Sequence, residues 1–239
     1  MATRTLPAAI RRCLLLVATG LLIAAGALAQ TSRNLAPGFT TRPVDSRLVV
    51  VSADIELFSI SAGGVIEPKA DWTAAAEGHF NNALRTRESS LGRNVTRLAE
   101  SDLDELSEIN ALHGAVAEAV FVHQMLGVAP LPTKGGRLEW TLGDAVKPLR
   151  DKTGADYALF TWIRDSYASA ERKAAMVALA LLGVGIPMGA QKGYASLVDL
   201  KTGQVVWFNH LLRGTGDLRE AKAADETFDA LLKGFPALK

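Results

Sequence analysis

Residues 193–212 read GYASLVDLKTGQVVWFNHLL, and this stretch decides the fold. Tyr194, Ser196, Val198 and Leu200 alternate with Ala195, Leu197 and Asp199. After Lys201-Thr202-Gly203 a second run places Val206 and Phe208 on one side and Val205 and Trp207 on the other. A short loop with a glycine free to take positive φ joins two strands into a hairpin. Both strands are apolar on both faces, and such strands lie in a sheet covered on each side. Trp207 and Phe208 are therefore read as packing residues and not as a ligand platform.

Working outward, the flanking segments supply the cover. Leu48–Val51 is a β-branched run, and Ile55, Leu57 and Ile60 continue as a second extended piece until Gly63-Gly64. Asp71 is a candidate N-cap, with Trp72, Ala76, Phe80 and Leu84 four apart on one helical face. Residues 93–100, RNVTRLAE, suit a short strand. Ser101 and Asp104 form a capping-box pattern ahead of a helix striped by Leu103, Leu106, Ile109, Val116 and Val120. Beyond Pro130 and Pro132, the run 141–160 reads as a helix stopped by Gly154 and a buried strand over 157–163, with Pro148 against a perfectly regular helix. The last helix is DLREAKAADETFDALLKGF. The order is β-α-β-α-α-β-(apolar segment)-β-β-α. It predicts an α/β (α+β) fold: a mixed β-sheet with a terminal hairpin, covered by helices.

The amino terminus has a separate purpose. Arg4, Arg11 and Arg12 precede an apolar run from Leu14 to Ala25, and Ala27 and Ala29 are small residues at cleavage spacing. Residues 1–29 are read as a signal peptide cleaved after Ala29. Residues 30–45 are an extended linker, either free or docked, and 46–239 form a single periplasmic α/β domain. The only cysteine, Cys13, precedes the apolar run, so a lipid anchor of the lipobox kind is not expected. The exported chain then has no thiol for a disulfide, a thiolate metal site or a cysteine nucleophile. The leader holds three of the 26 basic residues and none of the 25 acidic ones, so export turns a net charge of +1 into −2. No basic field remains to hold a phosphate backbone, and no nucleic acid is expected as a partner.

Chemistry-bearing motifs are sparse. His79, His113, His123 and His210 show no metal-ligand spacing, and His113 sits on the apolar stripe, as an interior histidine with one hydrogen-bond partner would. Asp102, Asp104, Glu105 and Glu108 open a helix, where its dipole favours acids. No G-x-S-x-G, Walker loop or G-x-G-x-x-G occurs. Ser166 with His210 has no motivating spacing. No catalytic residue, cofactor or metal is assigned, and the chain is read as a non-enzyme.

The remaining feature is Ala174–Ala190, 17 residues without a charge. That is short of a spanning helix of about 20 residues, and Gly183, Gly185, Pro187 and Gly189 interrupt its second half. A buried helix with a glycine-rich loop is the first reading. The second is an exposed contact surface for lipid or another subunit, through Met176, Val177, Leu181, Val184, Ile186 and Met188.

A resemblance now comes into view. KTGADYALFTWI (152–163), followed by ASLVDLKTGQVVWFN (195–209), resembles a phrase of a bacterial envelope group. That group includes the curli secretion channel protein CsgG, the amino-terminal domain of TolB, the penicillin-binding-protein activator LpoB and ABC-transport auxiliary lipoproteins. The resemblance spans roughly Ala145 to Phe235. It implies a periplasmic α/β domain that works by contacting envelope proteins or the membrane, and it carries no catalytic residues. The expected role is an accessory or assembly protein acting through protein–protein contacts. The alternatives are a membrane-associated oligomer and an enzyme with an unrecognised site.

Overall fold

The computed structural model describes residues 33–98, 102 and 106–239. The expected signal peptide and cleavage site and the capping-box residues Ser101 and Asp104 lie outside the described residues. Seven strands among the described residues form one sheet. The strands are β1 (Arg47–Val50), β2 (Asp54–Ile60), β3 (Ile66–Pro68), β4 (Asn94–Arg97), β5 (Tyr157–Ala168), β6 (Gln191–Asp199) and β7 (Val205–Arg213). The helices are α1 (Ala70–Leu91), α2 (Ser107–Val120), α3 (Lys147–Thr153), α4 (Ala170–Ala180) and α5 (Ala221–Leu231).

The long strand β5 is the axis. On one edge it pairs in parallel first with β1 and then with β2, which are two pieces of one interrupted strand. On the other edge it pairs antiparallel with β6, and β6 with β7. β4 lies outside β1 and β3 outside β2. The sheet is mixed and the terminal hairpin belongs to it, as the alternation predicts.

Two apolar layers cover it. Leu57, Leu159, Ile163, Leu197 and Trp207 face Ala76, Phe80 and Leu84 of α1 and Phe228 and Leu231 of α5. Phe160, Tyr194, Val198 and Phe208 face Ile109, Ala117 and Val120 of α2 and Leu149 of α3. Trp207 and Phe208 are both fully buried and point to opposite layers, so they pack as expected. Gly203 closes the hairpin at φ +72, and its backbone carbonyl accepts from Leu142 N at 2.8 Å.

Several local expectations need correction. Asp71 is not a cap: the α1 N-cap is Lys69, and Asp71 lies in the first turn, where its charge meets the dipole. β3 was not expected, because Pro68 reads as a helix preface; Pro is tolerated here on an outer strand. Helix α2 begins at Ser107 and ends in a π-helical turn at Phe121–Met125. The 157–163 strand runs on to Ala168. Pro148 sits in the first turn of α3, where the missing N–H costs nothing.

Residues 33–45 are docked. Ala36 N donates to Val206 O at 3.0 Å and Phe208 N to Asn34 O at 2.9 Å, which covers the outer edge of β7. Arg42 is 1 % exposed. Its guanidinium donates to Leu91 O at the end of α1 and to Pro236 O, and it stacks 4.7 Å from the Phe235 ring centre. A cation among carbonyl oxygens at a helix C-terminus is favoured by the dipole without any carboxylate partner.

Candidate interaction surface

The 174–190 segment is where the first expectation fails. Ser169 caps α4 by accepting from Arg172 N at 3.2 Å, and the alanine-rich run after it has strong helix propensity. The helix ends before Gly183 at φ +77. None of its residues is buried. Val177 is 67 % exposed, Leu181 84 % and Leu182 78 %. Val184 and Met188 are also exposed, while Met176 and Ile186 are half-buried. The segment is not a core helix. β5 and β6 already fill the sheet with their own apolar side chains, so the arm between them has no face left to cover.

Its base is rigid. Ser166 Oγ accepts from Ala190 N at 3.0 Å, and Ser166 N donates to Ala190 O at 3.1 Å. A Cβ on Gly189 would stand 1.8 Å from Ser166 O, so only glycine lets the arm re-enter the sheet this closely. Arg172 spans the gap to the β2–β3 turn, donating to Ser61 O and to Pro187 O, each at 3.3 Å. The turn carries exposed Val65 and Ile66. Leu212, near the end of β7, is exposed at the same end of the sheet. Eight of the twelve large exposed apolar side chains among the described residues thus collect at one end of the sheet.

Beneath the arm lies a 360 Å3 cleft whose wall includes Asp165, Tyr167, Gly189, Gln191, Thr215 and Arg219. Asp165, Gln191 and Arg213 stand opposite one another across β5, β6 and β7. Gln191 Nε2 donates to Asp165 Oδ2 at 2.6 Å, and Arg213 Nε donates to Gln191 Oε1 at 2.9 Å. Tyr167 Oη donates to the same Asp165 oxygen at 2.5 Å and accepts from Leu218 N at 2.7 Å. Arg213 Nη2 donates to Thr227 Oγ1 of α5 at 2.6 Å. Asp165 is 2 % exposed, and its side-chain donors are neutral. Burial pushes its carboxyl up to about 6, against the pull of the Tyr167 and Gln191 hydrogen bonds. Burial and the neighbouring Asp165 both raise the Tyr167 phenol. Arg219 stacks on Tyr167 at 4.1 Å and on Trp72 at 4.4 Å, and holds Asp217 at 2.5 Å.

This polar row was missed in the sequence. Its signal is the alternation of polar Asp165 and Tyr167 on the strand face that also carries Leu159 and Ile163, which places both on the α1–α5 side. The histidines are dispersed. His113 is buried, with Nε2 2.9 Å from Ser196 Oγ and its ring stacked on Phe160 at 4.9 Å; burial holds it down to about 3. His210 packs on Phe121, and Ser166 is bound to the arm, so the two are not brought together. Among the described residues no group of three or more His, Cys, Asp or Glu could hold a metal ion. Asp104 and Glu105 lie outside the described residues. No helix among the described residues is long and apolar enough to cross a membrane.

No family model matches this chain, and no curated protein matches it. Solved structures do. The PelC dodecamer from Paraburkholderia phytofirmans is similar at 15 % identity, covering 84 % of this chain and 96 % of that one, with a TM-score of 0.38. The C-terminal domain of LpoB from Escherichia coli is similar at 15 % identity over 74 % of this chain and 87 % of its own, with a TM-score of 0.29. Lipoprotein GNA1162 from Neisseria meningitidis is similar at 11 % identity over 70 % and 79 %, with a TM-score of 0.28. LpoB is a member of the envelope group that the hairpin phrase resembles. These are likenesses of fold, and no residue role passes with them.

Proposed function

We propose that this protein is an exported, non-enzymatic accessory protein of the bacterial envelope that acts by docking, with the arm-bearing end of the sheet as its docking surface. The observation that carries this is the concentration of exposed apolar side chains at one end, on an arm whose base is fixed by hydrogen bonds. Soluble monomers rarely leave large apolar patches uncovered. The leader over residues 1–29 and the envelope-type phrase around the hairpin support the compartment and the accessory role. The polar row under the arm supports the shape of the surface and supplies no paired nucleophile and base.

Site-specific crosslinking in cells tests the reading. A photoreactive residue at Leu181 should give a discrete adduct in the envelope fraction, and the same residue at Asp144 should not. Equal labelling from both positions would count against a docking end. The leader is tested by amino-terminal sequencing of the exported protein, which should begin at Gln30; recovery of Met1 would remove the cleavage assignment.

A further inference from the structure

We infer that the docking end meets an anionic lipid surface, the arm entering the headgroup boundary while its basic flank binds acidic headgroups. This rests on the docking reading above and names what is docked.

Three observations on the surface favour lipid. First, α4 buries none of its residues, and after its charged first turn it carries only apolar side chains, which water does not reward. At 11 residues it is about 16 Å long, too short to span a bilayer and suited to lying in the interface. Second, the exposed side chains are aliphatic, and they project from separate segments: the arm and the β2–β3 turn. Protein interfaces concentrate their energy in aromatic and arginine anchors seated in pockets, whereas hydrocarbon asks only for apolar area.

Third, the charge pattern is complementary to acidic headgroups. Arg172 and Lys173 stand at the start of the uncharged run, after one exposed acid, Glu171, and neither forms an ion pair among the described residues. The guanidinium of Arg172 meets only carbonyl oxygens, which leaves its positive charge uncompensated. On the acidic side, Asp217 is held by Arg219 and Glu67 by Lys69. A flank with two basic side chains against one acid, on a chain whose exported form is net acidic, steers that end toward an anionic surface.

Vesicle co-sedimentation of the exported protein decides the matter. Vesicles with about 30 % phosphatidylglycerol should bind it at least about tenfold more tightly than phosphatidylcholine vesicles, with binding weakening as salt rises. Leu181→Asp with Leu182→Asp should abolish binding to both without moving the thermal midpoint. Lys173→Glu should weaken binding to the anionic vesicles alone. All variants share the same amino-terminal residues, so any contribution from there cancels. An environment-sensitive dye on Leu182→Cys should shift to the blue on adding anionic vesicles, and the same dye on Asp144→Cys should not. Equal vesicle binding by wild type and the double variant, or no binding by either, overturns the proposal. If the wild type instead self-associates without lipid and the double variant is monomeric, lipid is excluded while the docking reading stands. If the double variant alters neither vesicle binding, self-association nor the envelope adduct, both fail.

Discussion

Asp165 carries the clearest consequence of a single residue. Its carboxyl titrates near 6 in the folded protein and near 3.8 in an open chain. The folded form therefore holds the proton more tightly, and ionisation opposes folding. The penalty is absent below about pH 4, grows as the pH rises to about 6, and is constant above that. That difference corresponds to about 3 kcal/mol at most. Asp165→Asn keeps an acceptor for Tyr167 and Gln191 and removes the charge. Urea unfolding at pH 7.5 should show the variant more stable by about 1–3 kcal/mol, with the gain vanishing near pH 4. A variant weaker than wild type at neutral pH would mean that Arg213 stabilises the carboxylate through Gln191 more than burial penalises it. Gly203 is the second such residue. At φ +72 a side chain is strained, and its Cβ would stand 2.3 Å from Gly143 O. Gly203→Val should lose at least roughly 1–3 kcal/mol in the same assay. A wild-type midpoint would show that the turn can relax away from the 140–143 loop. The glycine was legible because turn chemistry is local. Asp165 was not, since its burial depends on α5 and the 214–219 loop, which only the folded chain brings over it.

At the scale of elements, periodicity revealed what packs and failed where elements do not pack. The α1 and α2 stripes repeat at helical spacing because one side of each meets the core, and the hairpin is apolar throughout because both of its faces do. The arm shows the limit. Composition says that Ala174–Ala190 avoids water, yet composition cannot say whether the chain itself provides the shelter. β3 was invisible for a different reason: three residues with a proline carry no period at all. Exposure of the arm sets a sharp expectation for Val177→Asp. A charge in a core helix would unfold the domain, but at a position 67 % exposed the thermal midpoint should stay within about 0.5 kcal/mol of wild type in equivalent stability. The envelope adduct from Leu181 should fall at the same time. A collapsed midpoint would show that α4 is covered in solution.

At the scale of the whole molecule, the chain closes on itself at Arg42. Its backbone N–H donates to Ala237 O at 2.9 Å, and Lys239 N donates to Arg42 O at 2.9 Å, while the guanidinium reaches Leu91 O and Pro236 O. Arg42→Met keeps the apolar stem and drops those side-chain bonds. It should cost about 1–3 kcal/mol in urea unfolding, because it leaves buried carbonyls unsatisfied. No loss would show that water satisfies them. None of this was legible, because an arginine among prolines and threonines carries no sign that it will be buried. The same closure governs timing. Residues 34–36 need β7 as their partner and Arg42 needs residues 236–239, so the first described residues are fastened by the last. A chain threaded amino terminus first through a translocation channel cannot complete this domain while its tail is still inside. If the chain is exported as proposed, the contacts at Arg42 act as a delay, because the domain closes only once the final turn of α5 and the tail have come through.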